Sequence, residues 1–96
     1  MYLKIYKNGE HTLVAACDKE LLGKSLKHGN NVVEISRAFY EGEYVSEEKL
    51  QKALEEATTA NLFGEKTIKC AIKCGLIDPD SVIIIDGVPH AQIFRI

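Results

Sequence analysis

Ninety-six residues, 46% apolar and 27% charged, suffice for one modest core and are too few for two. A formal charge of -2 excludes the bulk attraction to polyanions that marks a nucleic-acid or anionic-membrane binder, so any such partner has to be met by a local patch. No run approaches the ~20 apolar residues of a membrane span; the three cysteines Cys17, Cys70 and Cys74 read as reduced thiols, and Met1 leads directly into a strand pattern, which together predict a cytoplasmic protein.

From Tyr2 to Cys17, two extended runs flank Asn8-Gly9, a strong hairpin signal because a two-residue type I′ turn needs positive backbone angles at both positions. That turn sets Lys7 opposite Glu10, Ile5 opposite Thr12 and Leu3 opposite Val14. Leu3, Ile5, Val14 and Ala16 then share an apolar face, and Tyr2, Lys4, Tyr6 and His11 the other. Asp18 is placed to cap a short helical turn through Leu22, Lys27 to Asn31 reads as a loop, and Val32 to Ile35 as a short strand. Ala38-Phe39-Tyr40 with Tyr44 forms either a recognition surface or an anchor for a loop over the core.

Ser46 opens a helix as N-cap, with Glu47 and Glu48 in its first turn and Val45 placed to staple against Leu50. An apolar stripe at helical pitch runs through Leu50, Ala53, Leu54, Ala57, Asn61, Gly64, Ile68, Ala71 and Ile72, and Gly75 is placed to end it. One straight helix of that length would be on the order of 40 Å, against a radius of gyration of about 13 Å for a domain this small. Leu62 and Phe63 fall off the stripe, so a break between Thr58 and Gly64 is expected. After the turn Asp78-Pro79-Asp80, a second hairpin turns at Asp86-Gly87. The β-branched run Val82 to Ile85 reads as a strand covered on both sides, which predicts a central pair with Ile83 opposite His90. The expected architecture is a single α+β domain over 1–96: a two-layer sandwich in which an antiparallel or mixed sheet with two hairpins packs on a long broken helix.

Two residues in the stripe are costly there, an amide because its polar groups need partners and a glycine by roughly 1 kcal/mol against alanine. Asn61 either caps a second helix or bonds across the break, or else orients a ligand near Glu65, where free backbone N–H groups favour anions; Gly64 admits a close approach in each case. In Val88-Pro89-His90-Ala91-Gln92, Pro89 fixes the backbone, and His90 is either a hydrogen-bonded structural residue or an acid, base or ligand with Gln92 on its face. Lys66, Lys69 and Lys73 form a basic helix face near Phe63, which is either solvated or grips a phosphate backbone. Cys70 and Cys74 are one turn apart, but no CxxC or second ligand pair accompanies them and Cys70 falls opposite the stripe, so no metal is predicted. Glycine-rich phosphate loops and the Gly-x-Ser-x-Gly nucleophile elbow are absent, and no cofactor is predicted.

The stretches Met1-Tyr2-Leu3-Lys4-Ile5-Tyr6, Asp18 to Lys24, Ala60-Asn61-Leu62-Phe63-Gly64-Glu65 and Gly87-Val88-Pro89-His90-Ala91-Gln92-Ile93-Phe94 resemble an archaeal family, domain of unknown function 424. The resemblance implies an archaeal, intracellular, single-domain α+β protein of undetermined activity. It places Asn61, Gly64, Glu65, Pro89, His90 and Gln92 in the family pattern and leaves Cys70 and Cys74 out. The residues together suggest a binding or adaptor protein using Asn61 to Glu65 and the His90-Gln92 strand. Its expected partner is a protein or ribonucleoprotein in translation or RNA handling, with a small-molecule ligand the other choice and no membrane. The alternative is an enzyme in which His90 is acid or base and Asn61 or Glu65 orients it.

Overall fold

Two hairpins frame the sheet in the computed structural model, which describes residues 1–95. The first pairs β1 (Tyr2–Asn8) with β2 (His11–Cys17). Its turn residues are Gly9-Glu10, one position later than the sequence predicts, since Asn8 pairs with His11. Gly9 has φ +61° and Glu10 is not in the positive region, so one residue carries the unusual angle, as in a type II′ turn with glycine first. Leu3 consequently faces Ala16 instead of Val14. The partner shifts by two, an even number, so every side chain keeps its face. Leu3, Val14 and Ala16 remain together and buried, while Ile5 at the rim is 44% exposed. The second hairpin, β7 (Ile83–Ile85) with β8 (Val88–Phe94), turns at Asp86-Gly87 and sets Ile83 opposite His90 as predicted.

The long broken helix is not present. Two short helices, α2 (Glu47–Glu56) and α3 (Glu65–Lys73), are separated by a strand, β6 (Thr59–Phe63). β6 runs parallel to β2 and antiparallel to β8. Its backbone groups are thereby hydrogen-bonded on both sides, which a kinked helix would leave partly open. Leu62 and Phe63 fell off the helical stripe because they point to opposite faces of a strand.

The six strands lie in the order β5-β1-β2-β6-β8-β7, with β5 (Glu43–Tyr44) and β7 at the edges. β6 is therefore interior, and the predicted central place of Val82 to Ile85 is corrected: Ile83 and Ile84 are 48% and 63% exposed. A β-branched run measures preference for extended backbone, not position in the sheet.

On one face, α2 and α3 bring Leu50, Leu54, Ile68 and Ala71 against Leu3, Val14, Leu62 and Ile93. The other face is also covered in part, which corrects the two-layer expectation. Lys27 to Asn31 is not a plain loop but lies in a small hairpin of β3 (Ser25–His28) and β4 (Asn31–Glu34), followed by α1 (Arg37–Tyr40). Leu21 from the turn after β2, with Leu26, Ile35 and Tyr40 from this segment, packs on Cys17 and Phe63. Among the described residues, no helix is long and apolar enough to cross a membrane.

The helix ends show how sequence-distant groups complete local structure. Ser46 accepts from Lys49 N–H at 3.4 Å, as its N-cap pattern predicts. The last turn of α2 has no basic residue, and Arg95 at the far end of the chain donates to the carbonyls of Leu54, Glu55 and Ala57. At the end of α3, Gly75 N–H bonds to Ile72 and Leu76 N–H to Ala71, a Schellman closure around the predicted glycine.

At the start of α3 the N-cap position is Gly64, which has no side chain to offer. Asp18 fills that role from the end of β2. Its carboxyl oxygens accept from Lys66 N–H at 3.0 Å, Thr67 N–H at 2.9 Å and Thr67 Oγ1 at 2.8 Å. Asp18 makes no side-chain cap to the local 3-10 turn Lys19–Leu21, contrary to the sequence expectation. Gly64 has φ +109°, and a Cβ there would stand 2.7 Å from both Asp18 carboxyl oxygens. Both backbone angle and space therefore demand glycine.

Asp18→Ala removes a helix cap and leaves buried Thr67 without its partner, with an expected loss of about 2–4 kcal/mol in urea unfolding at unchanged m. Gly64→Ala should cost more than about 1 kcal/mol. The double variant should lose less than the sum of the two, since the collision disappears with the carboxyl group; strict additivity would refute this packing. For the sheet, Leu62→Ala is expected to cost about 2–5 kcal/mol and Ile84→Ala at the edge within about 0.5, a contrast chemical denaturation can read directly.

Candidate functional site

Strand alternation brings Asn61, Phe63, His90 and Gln92 to the face that the small hairpin covers only in part. The β6–β8 register sets Asn61 opposite Gln92 and Phe63 opposite His90. Gln92 Nε2 donates to Asn61 Oδ1 at 2.9 Å. Whichever way the two amides are turned, one bond between them leaves an N–H donor and a carbonyl acceptor free.

The His90 ring stacks on Phe63, with centroids 4.0 Å apart and planes at 24°. His90 Nδ1 lies 2.8 Å from the Leu62 carbonyl, to which only a protonated nitrogen can donate. In the neutral ring Nε2 is then the acceptor. Burial holds the His90 pKa below its ordinary 6.5, and the nearby His28 pushes in the same direction, whereas the bond to Leu62 opposes them.

Asn61, His90 and Gln92 line a cleft of about 470 Å³ whose opposite wall includes Glu34, Phe39 and Tyr40. His90 and Gln92 also border an adjoining hollow of about 310 Å³ with Ile83 and Phe94. Tyr40 is buried and anchors α1 to the core, while Phe39 stacks on Tyr6 at 5.1 Å. The aromatic stretch thus anchors a segment and at the same time forms a cleft wall. Glu34 carried no sequence signal, because its place depends on β4 folding back over the sheet.

Gly64, Glu65 and Pro89 are not part of this cleft. They line a separate depression of about 170 Å³ with Asp18. Gly64 N–H bonds to the Pro89 carbonyl at 2.9 Å, so this end is a structural seam between β6 and β8. The expectation of an anion at free N–H groups near Glu65 is corrected, since Asp18 takes the N–H groups of Lys66 and Thr67. Asn61 caps no helix, being a strand residue.

Lys66, Lys69 and Lys73 are exposed on α3, as predicted. Phe63 is not beside them but buried among the residues of the opposite sheet face. The structure groups them instead with Lys19 and Tyr44 along a groove of about 620 Å³. Cys70, expected opposite the core, is 2% exposed in the helix-side core and directs Sγ to the Glu47 carbonyl at 3.6 Å. Burial pushes its thiol up to about 11, and that of Cys17 to about 12, which suits packing and not reactivity. Among the described residues, no three His, Cys, Asp or Glu side chains gather as metal ligands.

Residues 6–96 match the family described as Protein of unknown function (DUF424). The chain belongs to DUF424. It is similar to a crystal structure described as an uncharacterized conserved protein from Methanopyrus kandleri, at 29% identity and a TM-score of 0.83, with 99% of this chain and 92% of that chain covered. No curated protein matches it.

In this DUF424 chain the depressed His90 pKa makes a sign-definite prediction. Below the ordinary 6.5 the unfolded chain takes up a proton that the folded ring resists, so stability falls as pH drops through that value and levels off once the folded ring titrates. His90→Gln should remove that share of the pH dependence. Urea midpoints at pH 7.5 and 5.5 measure it, and an identical decline in both proteins would overturn the assignment.

Proposed function

We propose that this protein acts by binding, as an adaptor or ligand-holding domain, through the cleft over Asn61, His90 and Gln92. The reading rests on one observation: the Asn61–Gln92 amide pair lies in the partly uncovered portion of its sheet face, beside His90 and against a wall that includes Phe39 and Tyr40. Its free donor and free acceptor match any planar group that presents the reverse pair, such as the backbone of an extended peptide or the edge of a heterocyclic base. Phe39 and the adjoining Phe94 supply apolar area around that edge. The neutral His90 ring adds an acceptor and suits recognition without a change of charge. A partner protein, a ribonucleoprotein or a small ligand is accommodated by this chemistry, and free thiols at Cys17, Cys70 and Cys74 accord with a cytoplasmic place of action.

The acid–base alternative for His90 has less support. Of its two expected orienting residues, Glu65 lines a different depression, and Asn61 bonds to Gln92 while His90 Nδ1 bonds to the Leu62 carbonyl.

Amide NMR spectra titrated with capped dipeptides and with nucleosides test the binding reading. Shifts should cluster at residues 61, 63, 90 and 92 for one class, and the Asn61→Ala, Gln92→Ala double variant should weaken that response about tenfold or more, as loss of two hydrogen bonds implies. Equal responses in the variant, or none at these positions with either class, would remove the cleft from consideration.

A further inference from the structure

We propose that the groove beside α3 binds the phosphate backbone of single-stranded nucleic acid, with Tyr44 as a stacking platform for a base. The groove is distinct from the cleft and shares no lining residue with it. Four lysines converge there from two parts of the chain: Lys66, Lys69 and Lys73 from α3 and Lys19 from the 3-10 turn after β2. Among the described residues the ion pairs are Arg37–Glu41 and Lys49–Glu43, and neither involves a groove lysine. Lys66 and Lys73 are separated by about 10 Å along the helix at 1.5 Å per residue, room for more than one phosphate.

Tyr44 distinguishes a nucleic acid from a plain acidic peptide. The residue is 62% exposed, yet its ring is held by an edge contact from Tyr2 at 5.1 Å. Lys19 Nζ lies 5.9 Å from the same ring centroid. An exposed, fixed aromatic ring set among lysines serves base stacking and phosphate contact together, which a carboxylate-bearing chain does not require. Glu20 and Glu47 also line the groove, and they disfavour the denser charge of a duplex. With a net charge of -2, attraction acts only at short range and disappears in salt.

The test is fluorescence anisotropy of a labelled 12-nucleotide uridine oligomer, competed with polyglutamate and with a duplex of equal length. Three or four lysine–phosphate contacts predict that affinity falls roughly 20- to 50-fold between 50 and 200 mM salt. Lys66→Glu, Lys69→Glu and Lys73→Glu together should abolish binding, and Tyr44→Ala should weaken it about fivefold or more. Lys7→Glu, exposed and outside the groove, should change it little, and circular dichroism should report a native fold for all of these surface variants. Absence of binding at 50 mM salt, binding indifferent to salt, unchanged binding by the triple variant, or stronger competition by polyglutamate than by unlabelled oligomer would each overturn the proposal. The triple lysine variant should keep the amide response of residues 61, 63, 90 and 92 to capped dipeptides or nucleosides, which carry no phosphate, so failure of the cleft reading and failure of this one are separable.

Discussion

The Asp18 carboxyl group is the joint on which this fold depends. It stands at the end of β2, is 3% exposed, and accepts three hydrogen bonds from the first turn of α3. Its own N–H bonds to the Phe63 carbonyl and so extends the β2–β6 pairing by one rung, while Gly64 N–H reaches Pro89 on β8. β2, β6, β8 and the start of α3 thus meet around one acidic side chain. A capping residue within α3 itself would need a side chain at position 64, where the backbone angle and the Asp18 oxygens leave no room for one. The cap is therefore borrowed from another strand, and the helix is locked onto the sheet by the same bonds that satisfy its orphan N–H groups.

That joint fixes the register from which the cleft is built. Once Gly64 is held against Pro89, the antiparallel β6–β8 ladder carries Phe63 to His90 and Asn61 to Gln92. The two pairs alternate with Leu62 and Ala91, which turn into the helix-side core. The polar pair faces a half-covered surface because β3, β4 and α1 roof only part of that side of the sheet. A cleft results from incomplete cover, and its amides remain hydrogen-bonded to each other and available to a ligand.

Several parts of this were legible in the chain. Asn8-Gly9 and Asp86-Gly87 announced hairpins, and Ser46 and Gly75 marked a real helix start and a real helix end. Asn61, His90 and Gln92 stood out as polar residues in apolar settings, and they do lie together, with His90 and Gln92 on one strand face as period-two alternation requires. The three α3 lysines were visible as a charged face. Other features were hidden for identifiable reasons. Ala57, Asn61 and Gly64 preserve helical phase while Leu62 and Phe63 leave it, so the sequence shows the place of β6 as a break in a helix and not as a strand. A strand flanked by two others is stabilised by pairing that its own sequence does not display. Val82 to Ile85 showed strand preference but could not show that one side of β7 would lack a neighbour.

The sequence by itself determined the α+β class, the two hairpins, which residues of β1 and β2 share a face, the family, and the candidates Asn61, His90 and Gln92. These are local matters, set by turn chemistry and by the alternation of side chains within a few residues. Tertiary structure alone decided that Asp18 caps α3 from 48 residues away, that Arg95 closes α2, that Gly64, Glu65 and Pro89 form a seam apart from the cleft, and that Lys19 and Tyr44 join the α3 lysines. Each of those depends on groups that no periodicity links, brought together only when burying both sheet faces fixed the strand order.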